Sequence, residues 1–127
     1  MKISNDALLN KYIDNAKRLH DAYVNDNNKK QDKYRGISSY IMNEIWKEPD
    51  CGESILLELI KNDNDSVRLG GATGLLSLNE NLALSELQRI SDFSDVSGIK
   101  FTAGILLDMW KKPDELLHFR NRKFQLG

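Results

Sequence analysis

The 127-residue sequence predicts an all-α fold, a short stack of helical hairpins with about six to seven helices. Apolar side chains recur at three- and four-residue spacing in every strongly patterned segment, which is the period of a helix with one buried face. Prolines are confined to Pro49 and Pro113, so long stretches run as helix without a break. A hairpin-sized unit also occurs twice, displaced by close to 30 residues. A chain of this length buries roughly two thirds of the surface its unfolded state exposes, so residues 1–127 are expected to form one domain without metal or disulfide staples.

The first helix is expected over residues 5–25. Leu8, Leu9, Tyr12, Ile13, Ala16, Leu19, Tyr23 and Val24 form one apolar stripe, and Asn5 or Asp6 can accept hydrogen bonds from the first free amides. The polar run Asn25 to Lys30 separates it from a second pattern at Tyr34, Ile37, Tyr40, Ile41, Ile45 and Trp46. That helix should stop near Glu48, because Pro49 biases its predecessor away from helical backbone and Asp50-Cys51-Gly52 continues as a turn. Residues 5–48 thus hold two long helices.

From residue 51 to 112 the pieces shorten. Ile55, Leu56, Leu59 and Ile60 mark a short helix ending at Lys61. Asn62-Asp63-Asn64 connects it to a helix carrying Val67, Ala72, Leu75, Leu76 and Leu78, with Asp65 or Ser66 as its expected cap. Asn79-Glu80-Asn81 breaks the pattern, and a helix with Leu84, Leu87 and Ile90 follows. Ser91 to Asp95 is expected to turn into a last helix with Val96, Ile99, Ala103, Leu106 and Trp110, which Pro113 ends.

These four helices read as one hairpin used twice. Leu56 to Lys61 aligns with Leu84 to Arg89, Ser66-Val67 with Asp95-Val96, and Gly74-Leu75-Leu76 with Gly104-Ile105-Leu106. Stacked hairpins bury their apolar faces on one another. Gly70, Gly71 and Gly74 each cost about 1 kcal/mol against alanine inside a helix. Close approach of a neighbouring helix is the expected compensation, with Gly104 in the same role in the second unit. No strand precedes these glycines and no Lys-Ser or Lys-Thr follows them, so a phosphate loop is not indicated.

The parts needed for chemistry are few. His20, His118 and Cys51 show no paired spacing, so neither a zinc site nor any other cofactor site is expected. Cys51 or a serine beside a histidine base would be needed for nucleophilic catalysis, and His20, next to Leu19 on the apolar edge of the first helix, reads as a partly buried, hydrogen-bonded ring. The chain is not expected to be an enzyme. A single cysteine suits a reducing compartment. No leader-like apolar run precedes Asp6, and no stretch approaches the ~20 apolar residues of a membrane span. A cytoplasmic protein is the expectation.

Formal net charge is -1, which hides an uneven distribution. Between Glu44 and Asp65 lie seven acids, Glu44, Glu48, Asp50, Glu53, Glu58, Asp63 and Asp65, against Lys47 and Lys61, a net of -5. The segment from Lys111 onward carries five bases against Asp114 and Glu115, a net of +3. An acidic surface of this kind could dock a basic protein and steer its approach, although such a run also has the plain reading of a solvated face. Glu44, Glu48, Asp50, Glu53, Asp63 and Asp65 are the expected partner contacts. The tail from His118 to Phe124 mixes cations with aromatics, as single-strand nucleic-acid binders do, but its few cations do not indicate direct nucleic-acid binding. Leu116, Leu117, Phe119 and Phe124 in residues 113–127 read better as a cap on the open end of the stack.

Asp65, Val67, Arg68 and Ala72 resemble the opening of the second helix in a HEAT-type repeat, where an Asp, then Val-Arg, then small residues ending in Ala recur. The second unit keeps Asp95, Val96 and Ala103 but lacks the arginine, so residues 51–112 resemble two degenerate HEAT-like hairpins. With the two long helices before them, they resemble a small bacterial family of HEAT-like domains, which implies a right-handed hairpin stack. The chain is also similar to the small helical immunity proteins of contact-dependent growth inhibition. That likeness implies a toxin inhibitor, a monomer alone or in a 1:1 heterodimer, whose acidic face fills the basic cleft of a nuclease toxin. The alternative is a regulatory or scaffold domain that binds an endogenous protein through the concave face of the second helices, near Arg68, Lys100 and Asp108.

Overall fold

Six helices and no strands form among residues 5–111, the part of the chain that the computed structural model describes. Helix α1 (Asn5–Val24) buries Leu8, Tyr12 and Ala16 of the expected stripe and also Ala22, whereas Val24 at its end is exposed, and Asp6 lies in its first turn. The connection to α2 (Asn28–Trp46) is shorter than the polar run suggested. Asp26 takes a left-handed backbone (φ 51°), and Asn27 caps α2 by accepting from the Lys30 amide at 3.0 Å. Two buried amide side chains clasp the pair. Asn15 Nδ2 donates to the Tyr34 carbonyl (2.9 Å) and to Ser38 Oγ (2.7 Å), and Gln31 Nε2 donates to the Ala22 carbonyl (3.2 Å).

The turn after α2 uses two left-handed residues, Cys51 (φ 57°) and Gly52 (φ 80°). A Cβ on Gly52 would meet Ile45, so glycine is required there for space as well as for backbone. Helices α3 (Glu53–Leu59) and α4 (Asp65–Leu75) form the second hairpin, and α5 (Glu80–Phe93) and α6 (Ser97–Lys111) the third. Asn64, one residue before the expected cap, accepts from the Ser66 and Val67 amides and starts α4. Helix α5 begins just after its cap Asn79 and runs on to Phe93, beyond the expected turn at Ser91. Gln88 Nε2 donates to Asp92 Oδ1 (3.0 Å) along that last turn, and the chain bends only at Ser94.

Helix α4 is the centre of the stack, packed on α3, α5, α1 and α6. Its glycines allow this. A Cβ at Gly70 would strike the Tyr12 ring of α1, one at Gly71 would sit 2.8 Å from Leu59 Cβ, and one at Gly74 would sit 2.6 Å from Leu56 Cδ2 and 3.0 Å from Met42 Sδ. The helix-propensity cost is therefore offset by interhelical contact. Gly104 differs from the expectation: a Cβ there would be 3.5 Å from Ser91 Oγ, an ordinary contact. Ile45, Leu56, Leu59, Leu75, Leu87, Ile90 and Ile99 are wholly buried and join α2 through α6 into one core, each contributing about 2 kcal/mol relative to an exposed side chain. The cap expected from Leu116, Leu117, Phe119 and Phe124, and the basic residues from Lys112 onward, lie outside the described residues.

Candidate functional site

The acids that were expected to share one surface take different roles in the fold. Glu44 is partly exposed on the last turn of α2 and holds Lys47 Nζ at 3.1 Å. Glu48 is not available at the surface. Only 6% of it is exposed, because the chain folds back at the α2–α3 turn and carries it inward, so it drops out as a direct partner contact.

Asp50 stands exposed at the start of that turn. Its Oδ1 accepts from the Gly52 amide (2.9 Å) and its Oδ2 from the Ser54 amide (3.1 Å). Hydrogen bonds from the Ser54 amide and hydroxyl, and then from the Gly52 amide, hold this carboxyl below its ordinary range. It is a fixed negative charge on a rigid turn. Glu53, in the first turn of α3, is half-buried, and Glu58 near the end of α3 pairs at 3.4 Å with Lys61, just past the helix. Exposed pairs of the Glu44–Lys47 and Glu58–Lys61 kind contribute about 0–1 kcal/mol, so a partner can displace either lysine at little cost.

Asp63 is exposed, but the α3–α4 connector also brings cations beside it. Lys17 from α1 and Lys61 line a shallow depression of about 560 Å³ together with Asn62, Asp63 and Asn64. Nothing in the local sequence placed Lys17 there, since the two segments meet only through the packing of α1 on α3 and α4.

Asp65 faces inward to the next hairpin. Its Oδ2 accepts from Ser94 Oγ (2.7 Å), and its Oδ1 lies 3.9 Å from Arg89 Nη2. Beside it, Arg68 forks onto Glu86 of α5, with Nη2 2.9 Å from Oε2 and 3.0 Å from Oε1. Both side chains are more than four-fifths buried, and Arg89 Nε approaches the same carboxylate at 3.4 Å. A bidentate, partly desolvated pair fixes the register of neighbouring helices. Asp65 and Arg68 are therefore joints between hairpins. For Arg68 this corrects its expected place on an open concave face, and the side of α4 that bears Gly70 is covered by Tyr12 of α1.

Of the six expected contacts, Glu44, Asp50, Glu53 and Asp63 thus keep access to solvent around the α2–α3 turn and the α3–α4 connector, and Glu58 between them is exposed as well. Carboxylates at these positions can attract cationic groups. His20 is half-buried and its Nδ1 finds no hydrogen-bond partner among the described residues, unlike the satisfied ring that was expected. Cys51 is exposed on its turn. Among the described residues, no three His, Cys, Asp or Glu side chains converge as metal ligands, and no helix is long and apolar enough to cross a membrane. Comparisons with family models, curated proteins and solved structures find no match to this chain.

Proposed function

We propose that this HEAT-like hairpin stack is a protein-binding module of the immunity type, acting in the cytoplasm to neutralise a cognate antibacterial toxin by covering its basic face. The observation that supports this reading best is the set of outward acids at the α2–α3 turn, above all Asp50, whose carboxylate is held in place by backbone amides. A charge fixed before binding loses little entropy on contact and contributes to long-range steering. A nuclease domain fits as the toxin, because a cleft that holds phosphate presents the lysines and arginines that these acids would meet. The module binds rather than reacts, as a monomer alone and as a 1:1 heterodimer with its toxin.

The test is co-purification with the products of neighbouring genes, followed by kinetics on the protein captured. Association should slow by about tenfold or more as salt is raised, and the paired reversal Asp50→Lys with Glu53→Lys should slow it at low salt to a similar degree. Unchanged association in the reversed variant would remove these acids from the interface, and capture of no toxin from an intact operon would remove the immunity reading.

A further inference from the structure

The outer side of the first hairpin bears the opposite charge. Between α1 and α2, on the side away from the rest of the stack, runs a trough made of two adjoining hollows of about 260 Å³ and 350 Å³ that share Arg18 and Tyr34. Its apolar floor is Tyr34, Ile37 and Ile41, of which Ile37 is 39% exposed. Four exposed cations rim it, Lys11 and Arg18 from α1 and Lys30 and Lys33 from α2, against the acids Asp14 and Asp21. Lys33 Nζ lies 5.4 Å from the Tyr34 ring centroid. Among the described residues Arg18 is held by an exposed pair with Asp14 at 3.3 Å, which contributes about 0–1 kcal/mol and lets the guanidinium turn outward at little cost.

We propose that this trough is a docking surface for an acidic amphipathic helix of a protein partner, separate from the acidic surface described above. In a hairpin stack, the groove between two helices at an open end has the shape that the next helix would fill. From Lys30 to Ile41 the trough is about 16 Å long at 1.5 Å per residue, three turns of a bound helix. Apolar side chains at helical spacing would cover Ile37 and Tyr34, and glutamates on both flanks would meet the two basic rims. Charge complementarity selects the occupant. Lysine and arginine on both walls favour a carboxylate-bearing helix, and Asp14 and Asp21 between them disfavour the continuous phosphates of a nucleic acid.

A fluorescent synthetic helix with leucines at i, i+4 and i+7 and flanking glutamates tests this on the full chain, beside a twin whose glutamates are lysines and an oligothymidylate. The acidic helix should bind, with amide shift changes confined to residues 11–18 and 30–41, and the pair Arg18→Glu with Lys33→Glu should weaken it by about tenfold or more. Asp50→Lys should leave its affinity unchanged, which separates this surface from the acidic one. If the reversed pair proves unfolded by circular dichroism, Lys11→Gln with Lys30→Gln takes its place and should weaken binding about threefold or more. Equal binding of the lysine twin, shift changes elsewhere, or tighter binding of the oligothymidylate would overturn the proposal. So would concentration-dependent shifts at the trough in the protein alone, which would make a second copy the occupant.

Discussion

Alanine at Gly71 and alanine at Gly36 are expected to move stability in opposite directions. Both positions lie inside helices, so both substitutions gain about 1 kcal/mol of helix propensity. At Gly36 nothing lies within 4 Å of the added methyl, and the whole gain should appear, raising the melting midpoint by about 4 °C for a domain of this size. At Gly71 the methyl would sit 2.8 Å from Leu59 Cβ, 2.9 Å from Ile60 Cγ2 and 3.0 Å from the Leu56 carbonyl oxygen. Two of these atoms are fixed to the α3 backbone and cannot turn away by a rotamer change, so α3 itself must move. Overpacking of that kind costs about 3 kcal/mol, leaving a net loss of about 2 after the propensity gain. Urea unfolding of both variants beside the parent chain gives the comparison directly, with similar m-values confirming a common unfolded state. If Gly71→Ala proves as stable as Gly36→Ala, α3 and α4 are not in the close contact described here.

Cys51→Gly should stabilise by about 0.5–1 kcal/mol, because φ 57° strains a side chain that is exposed and makes no burial contribution, and calorimetry showing a loss would mean that the thiol has a structural part. Burial pushes the Tyr12 phenol up to about 12 from its ordinary 10.0, so its contribution is complete below pH 10 and lost as pH rises through 12. The stability advantage of the parent over Tyr12→Phe should shrink across that window, and a constant difference in urea midpoint would contradict a buried neutral phenol.

Most helices were legible because their apolar spacing is unambiguous. α1 and α6 lie where Leu8 to Val24 and Val96 to Trp110 place them. Caps were less legible, since the connector before α4 offers several competent side chains in a row. Asn64 takes the role and Asp65 is drawn away by Ser94 and Arg89, partners from α5 and its end that no local pattern specifies. Arg68 illustrates the same limit. Val-Arg marks the start of a helix in one dimension, whereas Glu86 as its partner depends on how α5 docks. Gly74 and Gly104 align in sequence and differ in surroundings, because α4 has neighbours on four helices and α6 packs chiefly on α5. The charge excess between residues 44 and 65 was legible as a sum. Which acids face outward was not, and the basic trough of the first hairpin escaped notice because its cations come from two helices and are diluted by acids in each.

The path of α1 bears on how the chain becomes folded at all. This helix is the first of the six to leave the ribosome, yet it rests on α3 and α4 and reaches α6, where the Tyr23 ring fills the space above Gly98. Repeat arrays in which each unit touches only its neighbour can lose or melt an end unit while the rest persists. Here the earliest segment waits for the latest to complete its contacts, which raises the average sequence separation of the packing and slows folding relative to a purely local stack. Unfolding should accordingly be a single all-or-none event, and trimming α6 would loosen the beginning of the chain as well as its end.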